Sequence, residues 1–329
     1  MRLINTNMAV RPYLSRSEVW LASGNFRIAF KFPIDFHPSA FIKWYPGHMA
    51  KGMRIMESKI AKCDCILEVH DARIPYNGRN EKFVRNFSSR PHVLVLNKAD
   101  LGEGARRGSI SKSLERNGIR PVFLNSKDVR QKSIRKIVQQ VLDSIQIAEY
   151  EGVFRRRNPD QAYHLLVCGL PNVGKSSLIN AFRRTYLRKG KATKVGGDPG
   201  ITRSVLQKIQ ICDEPKMYAL DSPGITSHQI DTLETGMKLA ITGCFPDHMI
   251  GHHVIADYLL YTLNKHNQFS YVDTYDLPDP CDNVDIVLRY IACKMKYETG
   301  GGLPDYHAAA VNFISMYRKG NLGKFYLDS

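Results

Sequence analysis

Between residues 169 and 177 the chain reads Gly169-Leu-Pro-Asn-Val-Gly174-Lys175-Ser176-Ser177, the spacing G-x-x-x-x-G-K-[ST]. Glycines at those places let successive backbone N–H groups converge on phosphate oxygens at the start of a helix. The lysine then reaches the terminal phosphates and the hydroxyl holds a divalent cation. The spacing predicts a phosphate cradle of Asn172, Val173, Gly174, Lys175, Ser176 and Ser177, with Ser176 on Mg²⁺. Upstream stands Asn97-Lys98-Ala99-Asp100. Guanine presents an N1–H beside an N2 amino group, so one ionised carboxylate accepts both bonds, whereas adenine has no such pair. Asp100 is therefore expected to select guanine, by about 10⁴–10⁵ in a buried site. Asn97 would tie this loop to its neighbours, and the Lys98 stem would lie along the base. Asn125-Ser126-Lys127 is read either as a second contact to the guanine edge or as an ordinary helix cap. Two further loops suit a triphosphate. In Asp221-Ser-Pro-Gly224 the carboxylate would hold Mg²⁺ through water while the Gly224 N–H meets a γ-phosphate. In Gly197-Asp-Pro-Gly200-Ile-Thr202 the hydroxyl of Thr202 would complete the metal shell, and both loops would be released when the γ-phosphate leaves.

These loops need elements to carry them. Short apolar runs at Cys65–Val69, Val93–Leu96, Val122–Leu124, His164–Cys168, Val205–Ile211 and Met217–Leu220 each end at a loop rich in Gly, Pro, Asn or Asp and alternate with amphipathic stretches. That pattern predicts an α/β domain with a mostly parallel sheet and helices on both faces, its ligand at the carboxyl ends of the strands. One helix is expected after Asp128 as N-cap, with Ile134, Ile137, Val138, Val141, Leu142 and Ile145 on its apolar face. The last third changes character. Val284, Val287, Leu288, Ile291 and Met295 keep helical spacing, as do Ala310, Phe313, Ile314 and Tyr317, and a third helix carries Ile255, Leu259 and Leu263. The expected division is an N-terminal arm over 1–40, a nucleotide-binding domain over 41–232 and a small helical domain over 233–329.

Composition narrows the class. The 329 residues carry 47 Lys+Arg against 31 Asp+Glu, a net charge of +16, with 43% apolar residues. A disordered tail, a collagen and a miniprotein are excluded, and no stretch is long and apolar enough to span a membrane. The positive field attracts polyanions, nucleic acid first. Eight basic residues (Arg183, Arg184, Arg188, Lys189, Lys191, Lys194, Arg203, Lys208) against Asp198 form a strip suited to RNA phosphates or simply a solvated basic face, with Arg155-Arg-Arg157 nearby. Residues 1–40 are Arg-rich and acid-poor, which matches a mitochondrial transit peptide or else an N-terminal arm. Seven cysteines without a C-x-x-C pair point to a reducing compartment, with Cys63 and Cys65 packed rather than metal-bound.

The order of the motifs is itself informative: Asn-Lys-x-Asp and Asn-Ser-Lys come before the phosphate loop, and the two switch-like loops come after it. In this order the chain resembles the circularly permuted GTPases. Trp44-Tyr-Pro-Gly-His48-Met49 and Asp71-Ala-Arg-Ile-Pro75 narrow the resemblance to the ribosome-biogenesis GTPase A (YlqF) branch. The likeness runs from about residue 41 to 270. It implies GTP and GDP as ligands, Mg²⁺ as cofactor, and a part in maturing the large ribosomal subunit through its rRNA. With the arm over 1–40 the expected setting is the mitochondrial matrix, on the large mitochondrial ribosomal subunit, with peripheral contact to the inner membrane. Ile225 stands where many G proteins place a water-orienting glutamine, and a hydrocarbon side chain cannot orient water. The resemblance points to His48 for that task, unless it only braces the Pro46-Gly47 turn, and to Asn172 as a ligand for K⁺; Lys175, Thr202 and Gly224, from their motifs, complete the expected catalytic set. Two rivals remain: a non-catalytic, nucleotide-gated RNA-binding module, and a bacterial-type or cytosolic assembly GTPase whose residues 1–40 form an ordered arm.

Overall fold

The computed structural model describes residues 26–33, 36, 60, 62–79, 90–127, 131–155, 162–188, 207–221, 230 and 232–328. Six strands form one sheet in the order β3-β2-β1-β4-β6-β5. They are β1 (Cys65–Asp71), β2 (His92–Asn97), β3 (Pro121–Phe123), β4 (Tyr163–Cys168), β5 (Gln207–Cys212) and β6 (Met217–Asp221). All neighbours are parallel except β5, which runs antiparallel to β6 at the edge. The central strands are apolar runs because both of their faces are covered. Cys65 through Asp71 are buried without exception. Helix α1 (Arg107–Arg116) packs on β3, α2 (Gln131–Tyr150) on β1, β2 and β3, and α3 (Lys175–Phe182) on β5 and β6. The expected apolar face of α2 is buried at Ile134, Ile137, Val138, Val141 and Ile145, while Leu142 is half-buried. Its expected cap, Asp128, lies outside the described residues.

The chain divides into two compact units. The sheet unit runs to Pro246 and takes back residues 324–329, against an expected boundary after 232. The added piece is α4 (Leu233–Thr242), started by Thr232, whose side chain accepts from the Thr235 N–H, and stopped by Gly243 at φ 79°. It stays with the sheet unit because its end is held there: the Asn172 amide donates to the Gly243 carbonyl at 2.9 Å, and Arg73 donates to that of Thr242.

The helical unit spans Asp247–Gly323. It contains α5 (His252–Lys265), α6 (Ser270–Tyr275), α7 (Val284–Met295) and α8 (Tyr306–Lys319). Asn283 caps α7 and Asp305 caps α8, each through its own side-chain oxygen, an interaction typically contributing about 1 kcal/mol. Ile255, Leu259, Leu263, Val287, Leu288, Ile291, Phe313 and Ile314 form its dry interior.

Residues of the N-terminal arm belong to this unit. Arg27 makes a forked pair with Asp257 at 2.8 and 3.1 Å, reaches Asp282 through Nε at 3.2 Å, and donates its backbone N–H to Asp282 at 2.6 Å. Phe26 stacks on Phe269, and Phe30 meets Tyr258 edge-on. The arm is thus docked through its described residues 26–30. Replacing Arg27 by Ala leaves two half-buried carboxylates without their fork, so the helical unit should lose about 1–2 kcal/mol in chemical denaturation. An unchanged midpoint would show that the segment only rests on the surface.

Candidate functional site

The site grows from the carboxyl ends of the parallel strands. β4 runs out at Cys168 into the loop 169–174, and α3 begins at Lys175. Two glycines of this loop have no room for a side chain. At Gly169, φ 142°, a Cβ would lie 2.1 Å from the Val69 carbonyl oxygen, and at Gly174, φ 100°, 2.2 Å from the Asn97 amide nitrogen. The loop therefore lies directly on the ends of β1 and β2. Asn172 adopts φ 58° and its side chain is tied to Gly243. Lys175 is buried to 8% exposure, with Nζ donating to the carbonyls of Gly169 and Leu170 at 3.1 and 2.8 Å. Those bonds fold the ammonium over the loop it would share with phosphate. Ser176 and Ser177 are half-buried in the first turn of α3.

Asn97 closes β2, one residue beyond the expected strand end, in register with Asp71. Its amide nitrogen donates to the Val173 carbonyl at 2.8 Å, and its amide oxygen accepts the Ser126 N–H at 3.0 Å. One buried side chain thereby joins the phosphate loop to the Asn125–Lys127 loop. Asn125 is half-buried and its own oxygen accepts the Lys127 N–H at 3.0 Å, while Ser126 is buried and its carbonyl accepts from Arg184 at 3.3 Å. Asp100 sits on a single 3₁₀ turn, Ala99–Leu101, with its side chain exposed between buried Ala99 and Leu101. That turn is fixed by the Ala99 N–H to the Leu124 carbonyl at 3.0 Å.

Asp71 and Arg73, read in the sequence only as part of a motif, have a clear structural task. Arg73 forks onto Asp71 through Nε at 3.0 Å and Nη2 at 2.8 Å, and both side chains are essentially unexposed. Lys98, at φ 55°, brings its ammonium to 3.0 Å from the same carboxylate. Burial alone would raise the Asp71 carboxyl, but Arg73 and Lys98 hold it well below the usual carboxylate range. The Lys98 head is thus anchored at the end of β1, which fixes the course of its stem. A second buried group, Glu68, accepts from His70 at 2.6 Å, His92 at 2.7 Å and Arg79 at 3.2 Å. Here too burial opposes ionisation and the two histidines outweigh it, pulling Glu68 well below its ordinary value. The sequence signal for both clusters was the alternation Glu68, His70 and Asp71, Arg73 inside a run otherwise apolar. Among the described residues no group of three or more His, Cys, Asp or Glu side chains is arranged to hold a metal ion. Cys63 and Cys65 are buried free thiols, and burial pushes Cys63 up to about 12.

β6 ends at Asp221, in register with Val167 of the strand that feeds the phosphate loop; its side chain lies outside the described residues. His48, Thr202 and Gly224 lie outside them altogether, as do Lys189, Lys191, Lys194, Arg203, Arg156 and Arg157. Within the expected basic strip, Arg183 and Arg184 donate to the Gln210 and Ser126 carbonyls. Arg188 is exposed, and exposed Lys208 stacks its ammonium 4.2 Å from the Tyr218 ring centroid.

A P-loop motif between β4 and α3, with the Asn97–Asp100 motif earlier in the chain and Asp221 at the end of β6 later, gives the order of a circularly permuted P-loop GTPase domain. The family described as 50S ribosome-binding GTPase matches residues 164–278. Mitochondrial ribosome-associated GTPase 1 of Ictalurus punctatus is 47% identical over 319 residues, 93% of this chain and 97% of that relative. The protein of the same name from Mus musculus is 44% identical over 308 residues, 90% of this chain and 92% of that one. Mitochondrial GTPase 1 of Schizosaccharomyces pombe is 31% identical over 297 residues, covering 87% and 89%. The crystal structure of GNP-bound YlqF from T. maritima shares the fold with a TM-score of 0.55 at 20% identity, over 84% of this chain and 97% of that one. The chain belongs to the mitochondrial ribosome-associated GTPase 1 family.

The depressed Asp71 makes a measurable claim. A carboxylate lowered on folding stabilises the protein above its unfolded value near 4, and that stability is lost progressively as pH falls below about 4. Asp71→Asn strands buried Arg73, so at pH 7 it should cost about 3–5 kcal/mol in urea denaturation, with the gap to wild type narrowing at pH 3. A gap that stays constant between the two pH values would mean that the Asp71 charge contributes nothing.

Proposed function

We propose that this chain hydrolyses GTP on the large mitochondrial ribosomal subunit as an assembly factor, coupling nucleotide state to rRNA binding and so supporting mitochondrial translation. The observation that carries the reading is the Asn97 junction, which joins the P-loop motif to the Asn125–Lys127 loop at the end of β2, where the Asn97–Asp100 motif begins. The names of the relatives supply the ribosome and the mitochondrion. Localisation to the matrix, with peripheral contact to the inner membrane, belongs to the same proposal; none of the described helices is long and apolar enough to cross a membrane. A presequence ending before Phe26 would leave the Arg27 and Phe30 contacts in the mature chain.

In this reading Asp100 accepts from the guanine N1–H and N2 amino group, Lys98 lies along the base, and the Asn125–Ser126 loop meets its edge. The N–H groups of 172–177 receive the phosphates at the N-terminus of α3, and Lys175 exchanges its loop carbonyls for phosphate oxygens. Ser176, Thr202 and Asp221 offer hydroxyl and carboxylate oxygens, the hard donors that Mg²⁺ takes. Such an ion, when bound, neutralises charge on the β- and γ-phosphates. Thr202 and Gly224 would follow the γ-phosphate, and His48 would orient the attacking water, since Ile225 cannot. Asn172 donates its amide nitrogen to Gly243, leaving its oxygen as the atom to hold K⁺ beside the phosphates. Arg188 and Lys208 extend toward RNA phosphate as part of the basic strip.

Steady-state GTP hydrolysis with and without purified large mitoribosomal subunits tests the reading directly, with Lys175→Ala as the blank. Stimulation by the subunit that disappears in the variant is the expected result; tight GTP binding without turnover would favour the gated RNA-binding module instead. Base selection has its own test: Asp100→Asn should shift preference from guanosine toward xanthosine nucleotides, because an amide donor meets the xanthine C2 carbonyl. Unaltered GTP preference in competition binding would remove Asp100 from the site.

A further inference from the structure

The chain returns to the sheet unit at Lys324, after the helical unit is complete. The returning residues are not a frayed end. Tyr326 is fully buried among Ala72, Leu94, Leu96, Ala99, Ile110 and Leu114, the cluster beneath the base-reading turn. Its ring lies so close to Gly102, the residue that ends this turn, that a Cβ there would sit 2.7 Å from the ring Cζ. Gly102 has φ −104°, a conformation open to any residue, so only the tyrosine ring demands glycine at this position. The next residue, Leu327, donates its N–H at 2.8 Å to the backbone carbonyl of Arg73, whose side chain forks onto the Asp71 carboxylate that anchors Lys98. Asp328 then accepts from the Tyr76 and Asn77 N–H groups, both at 2.9 Å, and from the Asn77 side chain, with Lys238 at 3.7 Å. Its side chain is 3% exposed. One stretch therefore touches the support of Asp100, the backbone of Arg73 and the turn that follows β1.

We propose that residues 326–328 position the guanine-reading turn: the Tyr326 ring sets the height of Ala99–Gly102, and Asp328 locks the segment in place. Tyr326 and Asp328 act through Asp100 and touch no part of the nucleotide. The inference rests on the reading of Asp100 as the guanine acceptor. The chain that follows residues 247–323 of the helical unit thereby ends in packing contact with the base-reading loop.

The test compares GDP with inosine diphosphate, which lacks the 2-amino group, by titration calorimetry on the full chain. Wild type should prefer GDP by about 10–100-fold, the worth of one bond to a charged acceptor. Tyr326→Ala should lower this ratio by about tenfold, as a small misplacement of a positioned group does, while Tyr326→Phe keeps the ring and the ratio. Gly102→Ala, which pushes on the same ring from the other side, should lower the ratio likewise, and Asp328→Ala should lower it several-fold. A structural role alone would change stability and leave the ratio untouched, so folded variants that all retain the wild-type ratio overturn the proposal. Should Tyr326→Ala fail to fold, Gly102→Ala and Asp328→Ala decide by the same criterion. A wild-type ratio near one would instead overturn the guanine reading of Asp100, and the proposal with it.

Discussion

Both ends of the Asn97 amide are committed to backbone from other parts of the chain, the nitrogen to Val173 and the oxygen to Ser126. The geometry of the site follows from that one side chain. Its two bonds are buried, so neither is replaced by water if lost, and a buried amide left unpaired is costly. The phosphate loop can come close enough to make them only because Gly174 presents no Cβ toward Asn97 and Gly169 presents none toward Val69. Three loops separated by long stretches of sequence are held at fixed mutual distances before any ligand arrives. Preorganisation of this kind is what lets a site discriminate between bases instead of adapting to whichever enters.

The charges beneath the site work in the same direction. Asp71 is removed from water, a cost met only because Arg73 forks onto it and Lys98 adds a second cation. The arrangement removes rotational freedom from Lys98 and holds its backbone in a left-handed conformation that leads into the Ala99–Leu101 turn. Glu68 with His70, His92 and Arg79 forms a parallel case between β1 and the start of β2. The Asp71 cluster gives a sheet of apolar strands a fixed polar anchor point at the carboxyl end that carries the loops, while the Glu68 cluster sits lower, against the start of β2.

Permutation changes which parts of the chain are mechanically linked. In this order the β6 carboxylate and the loop after it come last among the nucleotide motifs, and α4 and the helical unit follow. Residues 247–323 are bounded in the chain by segments of the sheet unit: before them Gly243, whose carbonyl is held by Asn172, and after them Tyr326, whose ring packs on Gly102. The loop 169–174 and the Ala99–Gly102 turn thus each touch one of the two segments that flank residues 247–323.

Much of this was legible in the residues alone. The six strands, the α2 face at Ile134 to Ile145 and the helical last third follow from hydrophobic periodicity, a local signal. The nucleotide motifs follow from spacing, because phosphate and guanine impose fixed demands on glycine, lysine, hydroxyl and carboxylate. The ionic role of Asp71 and Arg73, the docking of Arg27 on Asp257 and Asp282, and the return of Tyr326 under Gly102 were not legible. Each joins residues far apart in the chain, and no local pattern records which distant partner a buried charge or ring will meet. The end of the sheet unit at Pro246 was hidden for the same reason: α4 has the periodicity of any amphipathic helix, and only its bonds to Asn172 and Arg73 show which unit claims it. Sequence determined the chemistry available at each position; the tertiary structure decided which of those groups share a site, because proximity across the sheet edge is a property of the fold and not of spacing.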